Sequence, residues 1–324
     1  MNERKQTYRV YCQNEKTIPI FSRDWWMDAV CGEDNWDVLL VERDNEIVAS
    51  MPYFKKNKYG LTAITQPPLT QTNGIWIKYP PGQKYSSRLS YEKEVMTEII
   101  DQLQALNVDY YCQNFHYSIT NWQPFYWKGF QQTTRYTYVI DNLTNLNDIF
   151  SGFSKVVRKN IRRAAQEANV YDTENIDVFY DMNKLVFERQ DLNIPYSFEL
   201  IKTLDRACKE HNSRKIFCAE DETGRLHSIL YLVWDEQSAY LLMSGTDPAV
   251  RDSNYKTLLV WEAIKHAANV TQKFDFEGSM IESIAEYFRK FGPKPKPYYQ
   301  ISKSSPRLRF LSSGREMLRT VIGK

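Results

Sequence analysis

The sequence predicts an α/β protein built from two domains. Three observations support this: a length of 324 residues, an ordinary globular composition, and strand-like segments that alternate with helix-like segments along the whole chain. The length suits two domains better than one, and 42% hydrophobic with 25% charged residues is close to globular averages. Alternating periodicities favour layers of helix and sheet. A polar, turn-like segment at 142–145 places the predicted domains at 1–143 and 144–324.

Composition excludes several classes of protein. The 42 basic and 40 acidic side chains nearly balance, which argues against a general nucleic-acid coat but allows a local basic site for phosphates. The cysteines, at positions 12, 31, 112, 208 and 218, are scattered and form no CxxC pair, so we expect free, mostly buried thiols rather than disulfides or a metal site. No apolar stretch has the length of a signal core or a membrane span, so we expect a cytoplasmic protein.

The first half is predicted from its strand and turn patterns. We expect strands at 8–11, 36–42, 46–54, 109–115 and 131–140, with a hairpin turn at 43–45. Ser22 is the expected cap of a short helix that runs through Trp25, and a long helix is expected at 86–106. The segment 66–74 contains two prolines, which lack a backbone donor, and should be irregular.

The second half shows helical periodicity, then closely spaced strands, then alternation. We expect helices at 154–168, 177–191, 197–211, 254–268, 282–291 and 306–321, and strands at 215–219, 226–234, 239–244, 273–277 and 298–302. The order is therefore three helices, three strands, and then helix and strand in turn.

Four segments carry a family resemblance. The sharpest runs Phe274-Asp275-Phe276-Glu277-Gly278-Ser279-Met280, with Phe291-Gly292 beyond it. The others are Arg158-Lys159-Asn160-Ile161-Arg162-Arg163-Ala164, the pair Trp25-Trp26, and Gln66-Pro67-Pro68. Together with the element order, they resemble the Fem-type aminoacyltransferases, a bacterial branch of the acyltransferases with two tandem GNAT-like domains.

The resemblance implies a fold and a reaction. The fold is two GNAT-like domains with a shared cleft, in which a sheet opens between two parallel strands to admit the acyl carrier. The reaction is transfer of an acyl or aminoacyl group to an amine on a cell-wall precursor, another small molecule or a peptide-linked acceptor. Acyl-CoA or aminoacyl-tRNA would be the donor substrate, with no tightly bound cofactor and with tRNA as a possible partner. The alternative is a non-catalytic protein that retains the fold to bind a ligand.

Three residues are candidates for catalysis. Glu277 ends a predicted strand among apolar side chains, where its pKa would rise toward that of a useful base. Ser279 follows it in the turn, although both side chains would also serve simply to cap the next helix. Tyr231, on a neighbouring strand, is a candidate proton donor, with packing in the core as its alternative role.

The start of the predicted helix at 254 is the candidate donor site. Ser244, Arg251, Ser253, Asn254 and Lys256 lie on or near this helix terminus, where free N–H groups attract an anion. Plain capping with surface charges is the alternative. The segment 247–254 lacks the glycines of the usual GNAT pyrophosphate loop, so weak acetyl-CoA binding is expected.

Two further groups are candidates for substrate binding. Arg158 and Arg162 belong to a basic helix face, either a phosphate-binding surface or an ordinary solvated face. In the first domain, Trp25, Gln66 and Gln71 are expected to shape the acceptor pocket, by the resemblance alone.

Overall fold

The computed structural model describes residues 3–250 and 254–311, which form two compact units. Unit 1 comprises the described residues of 1–135 together with 297–311, and unit 2 comprises the described residues of 136–296. This division differs from the predicted domains in two ways. The boundary falls inside the strand at 131–140 rather than in the turn-like segment after it. In addition, the C-terminal part of the last strand belongs to unit 1 rather than to unit 2.

Unit 1 combines mostly antiparallel strands with flanking helices. Its helices are α1 (Glu3–Asn14), α2 (Asp24–Cys31), α3 (Tyr85–Ala105) and α4 (Gln123–Trp127), and its strands are β1 (Trp36–Arg43), β2 (Glu46–Lys58), β3 (Leu61–Thr65), β4 (Trp76–Ile77) and β5 (Tyr110–Asn114). The strand β6 (Gln131–Ile140) then leads into unit 2.

Unit 2 begins with helices and continues with its own run of strands. Its helices are α5 (Leu146–Gly152), α6 (Lys155–Glu167), α7 (Ile176–Glu188), α8 (Phe198–Glu210), α9 (Tyr255–Val270) and α10 (Glu282–Arg289). Its strands after β6 are β7 (Asn169–Thr173), β8 (Arg214–Glu220), β9 (Leu226–Trp234), β10 (Ser238–Thr246) and β11 (Lys273–Asp275). The strand β12 (Lys294–Ser304) returns to unit 1, where α11 (Pro306–Leu311) follows.

The two units share one local pattern of strands. In unit 1 the order is β1-β2-β3-β5-β12, and β3 and β5 are parallel neighbours joined through α3. In unit 2 the order is β6-β11-β10-β9-β8-β7, and β10 and β11 are parallel neighbours joined through α9. All other pairs described within the two units are antiparallel. Each unit therefore contains one parallel pair beside an antiparallel meander, as the predicted tandem GNAT-like fold requires.

Each sheet is covered by its own apolar core. In unit 1 the central helix α3 buries Val95, Met96, Ile99 and Ile100 against the strands. In unit 2 the helix α9 buries Leu258, Leu259, Ala263 and Ile264 together with Val157 and Ile161 of α6. Small and branched apolar side chains at helical spacing explain why both helices lie flat on their sheets.

The first predicted element was wrong. Residues 8–11 were expected to form a strand because of their aromatic and branched side chains, but they lie inside α1. Lys5, Tyr8 and Cys12, spaced by three and four, face the core, and the Tyr8 hydroxyl donates to the carbonyl oxygen of Ser22 at 2.7 Å. Tertiary packing thus overrides the local strand preference.

The predicted cap at Ser22 was also wrong. Ser22 is buried in a single 3₁₀ turn, and α2 begins at Asp24 after an extended Arg23. No side chain caps this helix start by hydrogen bonding. The remaining helices and strands that were predicted are present, most with small shifts of their ends, whereas the short elements β3, β4, α4, α5 and β7 were missed. The predicted helix at 306–321 is described only to Leu311.

Candidate functional site

The sheet of unit 2 opens between β10 and β11. The two strands pair over three residues only, from Ser238 opposite Lys273 to Tyr240 opposite Asp275. Beyond this point β10 bulges at position 242 and stays with β9 as far as Thr246. The chain after β11 instead stays with β6, because the N–H of Phe276 donates to the carbonyl oxygen of Tyr138 at 2.9 Å. The carboxyl ends of two parallel strands thus separate, which is where α/β sheets place ligands.

A buried carboxyl group ends β11 beside this opening. Asp275 is 1% exposed, and its Oδ1 accepts hydrogen bonds from the Thr137 hydroxyl of β6 and, at 2.7 Å, from the backbone N–H of Glu277. Burial raises the pKa of Asp275 to about 7, against the opposing effect of these two donors. Asp275 belongs to the motif at 274–280, but the sequence alone does not indicate a role for it.

Glu277 follows in a tight turn. Its φ is 57° and that of Gly278 is 55°, so two successive residues adopt the left-handed conformation. The Glu277 Oε1 is buried and has no hydrogen-bond partner among the residues that the structure describes. Burial, and secondly the charge of Asp275, raise the pKa of Glu277 well above its ordinary value. A carboxyl group of this kind can take a proton from a substrate at neutral or higher pH.

Ser279 has a local bond in the same turn. Its hydroxyl accepts a hydrogen bond from the N–H of Ile281 at 3.0 Å, one residue before α10 begins. This bond belongs to the turn before α10, whose N-cap residue is Ile281, whereas the alternative role predicted for Ser279 was to cap the helix. No contact in the structure gives this hydroxyl a chemical role.

The start of α9 presents positive charge without a bound carboxylate. Lys256 forms no ion pair with any residue in the described ranges; its Nζ lies 5.5 Å from the centre of the Tyr287 ring. Desolvation lowers the pKa of Lys256, and the nearby charge of Arg189, at the end of α7, lowers it further. Two cations placed together favour an anionic ligand. Asn254 adopts a left-handed conformation before the helix, and Arg251 and Ser253 lie outside the described residues.

The loop before α9 uses its own donors. The N–H of Ala249 donates to Asp247 Oδ1 at 2.8 Å, and the N–H of Val250 donates to the carbonyl oxygen of Asp247 at 3.1 Å. Pro248 has no N–H. The Asp247 carboxylate also accepts from Arg225 at 2.6 Å, and these bonds hold its pKa below the usual range. In this part of the loop, the N–H groups of Ala249 and Val250 are therefore already hydrogen-bonded, and they lie beside the negative charge of Asp247.

The outer end of β10 is fixed by α7. The side-chain amide of Asn183 donates to the carbonyl oxygen of Ser244 at 2.9 Å. A Cβ on Gly245 would lie 2.6 Å from the carbonyl oxygen of Met182, so only glycine permits this approach of helix and strand. Ser244 is thus held beside the opening through its backbone.

The side chain of Tyr231 belongs to the core. It is completely buried, its ring packs against Phe179 of α7 at 5.2 Å, and its hydroxyl donates to Asp205 Oδ1 at 2.8 Å. Asp205 in turn pairs with Arg214 at 3.0 Å. A phenol committed to a buried carboxylate belongs to the core network, so we do not retain Tyr231 as a proton donor.

The basic helix α6 has the expected two faces. Val157, Ile161 and Ala164 are buried, whereas Arg162 is exposed with its guanidinium 5.4 Å from the centre of the Phe150 ring. Arg158 is half-buried, and its Nε has no hydrogen-bond partner in the described part of the chain. Neither arginine is paired with a described carboxylate, unlike Arg163, which pairs with Glu167 at 3.2 Å.

In unit 1, the equivalent parting of parallel strands is closed by the proline-containing loop. β3 and β5 pair only through residues 63–64 and 110–111. Beyond them, Gln66 Oε1 accepts from the N–H of Asn114 at 2.8 Å, and the N–H of Asn73 donates to the carbonyl oxygen of Asn114 at 2.8 Å. The Asn114 side chain donates to the carbonyl oxygen of Gln71 at 3.0 Å. This loop occupies the place that stays open in unit 2.

The three predicted substrate residues of unit 1 therefore differ in their surroundings. Gln66 is engaged in closing the sheet, because its amide also donates to the carbonyl oxygen of Thr70 at 3.0 Å. Gln71 contributes its backbone to the same closure. Trp25 is half-buried and packs edge-on against the buried Trp26 at 5.9 Å. These contacts give Gln66 and Gln71 structural roles within the first unit.

Comparison with known proteins agrees with this geometry. Residues 151–288 match the family model described as an acetyltransferase (GNAT) domain. The solved structure of FemX is similar at a TM-score of 0.71 and 13% identity, over 92% of this chain and 96% of that one. A tandem GNAT protein from the clavulanic acid biosynthesis pathway reaches a TM-score of 0.53 and 8% identity over 93% of both chains. L-PGS from Bacillus licheniformis reaches 0.52 and 9% identity over 86% and 87%. No curated protein sequence matches the chain.

These findings define the class of the protein. The chain has the tandem GNAT fold, and its second unit contains a GNAT-type acyltransferase domain in which the parallel strands separate. The predicted likeness to the Fem-type proteins is confirmed at the level of the fold. Among the helices that the structure describes, none is both long and apolar enough to cross a membrane.

Proposed function

We propose that the protein is an N-acyltransferase that moves an acyl or aminoacyl group onto an amine in the opening between β10 and β11. The observation that carries this proposal is Glu277, a carboxyl group of raised pKa with an unpartnered oxygen, placed where the two parallel strands separate. The GNAT match of the same unit supports the reaction class.

The reaction follows from these positions. The acyl group of the donor enters the opening, and the acceptor amine attacks its carbonyl carbon, forming a C–N bond. Glu277 accepts the proton that the amine loses. Backbone N–H groups of β10 at the opening stabilise the negative charge on the carbonyl oxygen. The bond to the carrier then breaks, and the carrier takes the proton held by Glu277 and leaves as a thiol or hydroxyl.

The anionic part of the donor is expected at Lys256. This ammonium group and Arg189 have no described carboxylate partner, so a phosphate beside them would relieve their mutual repulsion. The α9 terminus adds the positive end of its dipole. Arg251 and Ser253 remain candidate contacts by sequence alone.

Acetyl-CoA is expected to bind weakly. A pyrophosphate cradle needs successive free N–H groups, but those of Ala249 and Val250 are bonded to Asp247, whose carboxylate repels phosphate. We expect a dissociation constant on the order of 1 mM or weaker, which corresponds to about 4 kcal/mol. Titration calorimetry measures it, and micromolar binding would restore an ordinary acetyl-CoA enzyme.

An aminoacyl-tRNA is then the preferred donor. The unpaired cations Arg158 and Arg162 on α6 offer contacts for its phosphates. Replacing both with alanine is expected to weaken tRNA binding. The slope of log affinity against log salt concentration should also become shallower, by the amount expected for the loss of up to about two phosphate contacts. Filter binding over a salt series measures the slope. Arg163→Ala is the matched control, because Arg163 already pairs with Glu167. An unchanged slope in the double variant would leave α6 as a solvated face.

A transfer assay tests the function itself. The purified protein is incubated with labelled acyl-CoAs or aminoacyl-tRNAs and a set of amines, including peptide-linked and cell-wall precursor amines, and labelled amide is detected by mass spectrometry. We expect amide formation that depends on Glu277. Ligand binding without turnover under every combination would favour the non-catalytic alternative. We also propose that the reaction takes place in the cytoplasm, where acyl-CoA and aminoacyl-tRNA are both available.

A further inference from the structure

Asp275 holds the turn that carries Glu277. Its Oδ1 accepts from the Glu277 N–H at 2.7 Å and from the Thr137 hydroxyl, so it connects the turn to β6. A left-handed conformation is uncommon for a residue with a side chain, and the Glu277 N–H bond helps to stabilise it. The proposed reaction gives Asp275 no direct contact with substrate.

We propose that Asp275 is a positioning residue that orients the Glu277 carboxyl group toward the opening and maintains its affinity for the proton. The proposal rests on the proposed role of Glu277 as the base. Asp275 acts in two ways: through the bond that sets the backbone of the turn, and through its own negative charge beside the Glu277 side chain.

The side chains around Asp275 and Glu277 are neutral, bonded to other residues or exposed, so the two carboxyl groups influence each other. From β6, the side chain that reaches Asp275 is the neutral Thr137. From β10, Tyr240 lies opposite Asp275 in the register, and its hydroxyl donates to Asp235 at 3.4 Å. The charged side chains of α10, Glu282, Glu286 and Arg289, are exposed.

Counter-charge is also missing from α9. Lys256, at the start of this helix, is influenced by Arg189 and not by either carboxyl group. Burial, Thr137 and the Glu277 N–H are the influences on the pKa of Asp275, and burial and Asp275 are those on the pKa of Glu277. No described cation is among these influences, so the negative charge of Asp275 raises the pKa of Glu277 without an opposing charge.

The variant Asp275→Asn separates charge from geometry. The asparagine carbonyl oxygen can still accept both hydrogen bonds, but the negative charge is removed. With glutamate labelled at its carboxyl carbon, the NMR titration of Glu277 is followed and assigned by its absence in Glu277→Gln. We expect its midpoint to fall by about one pH unit or more in Asp275→Asn. The low-pH limb of the kcat profile should shift in the same direction.

Two other variants complete the design. Asp235→Asn removes another buried carboxyl group, which caps the turn before β10, and is expected to leave the Glu277 midpoint unchanged. If Asp275→Asn does not fold, Thr137→Val removes one donor to Asp275. With aspartate labelled at its carboxyl carbon as well, it is then expected to raise the midpoint of Asp275 and to shift that of Glu277.

The titration needs no substrate, so it separates the two proposals. A protein that transfers nothing overturns the proposed function, while the Glu277 midpoint still decides whether Asp275 controls its proton. A Glu277 midpoint that does not move in Asp275→Asn, or in Thr137→Val where that variant is used, overturns the role of Asp275. Equal shifts in Asp235→Asn and Asp275→Asn also overturn it.

Discussion

The variant Glu277→Gln is expected to lose about 100-fold or more of the transfer rate while keeping its fold. Glutamine has nearly the same shape but cannot accept a proton from the attacking amine. The carboxyl oxygen Oε1 has no described hydrogen-bond partner, so its replacement breaks no described bond of that atom. The loss should therefore appear in kcat rather than in thermal stability.

The pH dependence of the transfer rate provides a second test of the role of Glu277. A base acts only after it has lost its proton, and the pKa of Glu277 is raised by burial and by Asp275. The wild-type rate is therefore expected to rise with pH beyond the range in which an ordinary glutamate loses its proton, whereas the residual rate of Glu277→Gln lacks this limb. Glu286→Gln, an exposed glutamate of α10, is the control. Full activity in a folded Glu277→Gln protein would remove Glu277 from catalysis.

Local patterns were enough to predict much of unit 2. The strands at 226–234 and 131–140 were predicted with the bounds that the structure has, because each is rich in β-branched and aromatic residues and is followed by a turn-like segment. Glu277 was predicted to end the strand at 273–277; in the structure β11 ends at Asp275, and Glu277 lies two residues further on. The motif at 274–280 was therefore enough to indicate Glu277 as a candidate base, although its neighbours in space could not be predicted.

Partners distant in sequence could not be predicted in this way. Thr137 reaches Asp275 from 138 positions away, and this contact depends on the pairing of β6 with β11. Arg189 approaches Lys256 only because α7 ends near the start of α9. Similarly, Tyr231 looked available on its strand, but the helices that carry Phe179 and Asp205 bury it.

The closed sheet of unit 1 shows the same limit. The sequence correctly predicted an irregular segment around Pro67 and Pro68, and the resemblance suggested an acceptor pocket there. In the structure, this segment returns hydrogen bonds to Asn114 where β3 and β5 would otherwise part. The closure of the first sheet leaves the opening in unit 2 as the one that we assign to the acyl donor.

Gly278→Ala is expected to destabilise unit 2 strongly. A Cβ at this position would lie 2.3 Å from the carbonyl oxygen of Tyr136 and 2.4 Å from the Cα of Thr137. Both are backbone atoms of β6, so no rotation of a side chain can relieve the overlap. The residue also has a φ of 55°, which alone costs a residue with a Cβ about 1 kcal/mol. We expect a total loss of about 3 kcal/mol or more.

The control isolates the overlap from the backbone conformation. Gly224 has a φ of 80°, but a Cβ there would meet nothing within 4 Å, so Gly224→Ala should cost only about 1 kcal/mol. Urea denaturation of both variants, followed by tryptophan fluorescence, measures the difference. If the two variants prove equally mild, β6 and the turn can move apart at little cost. Glu277 would then not be held rigidly beside Asp275 and Thr137, and both the base and its positioning residue would lose their geometric support.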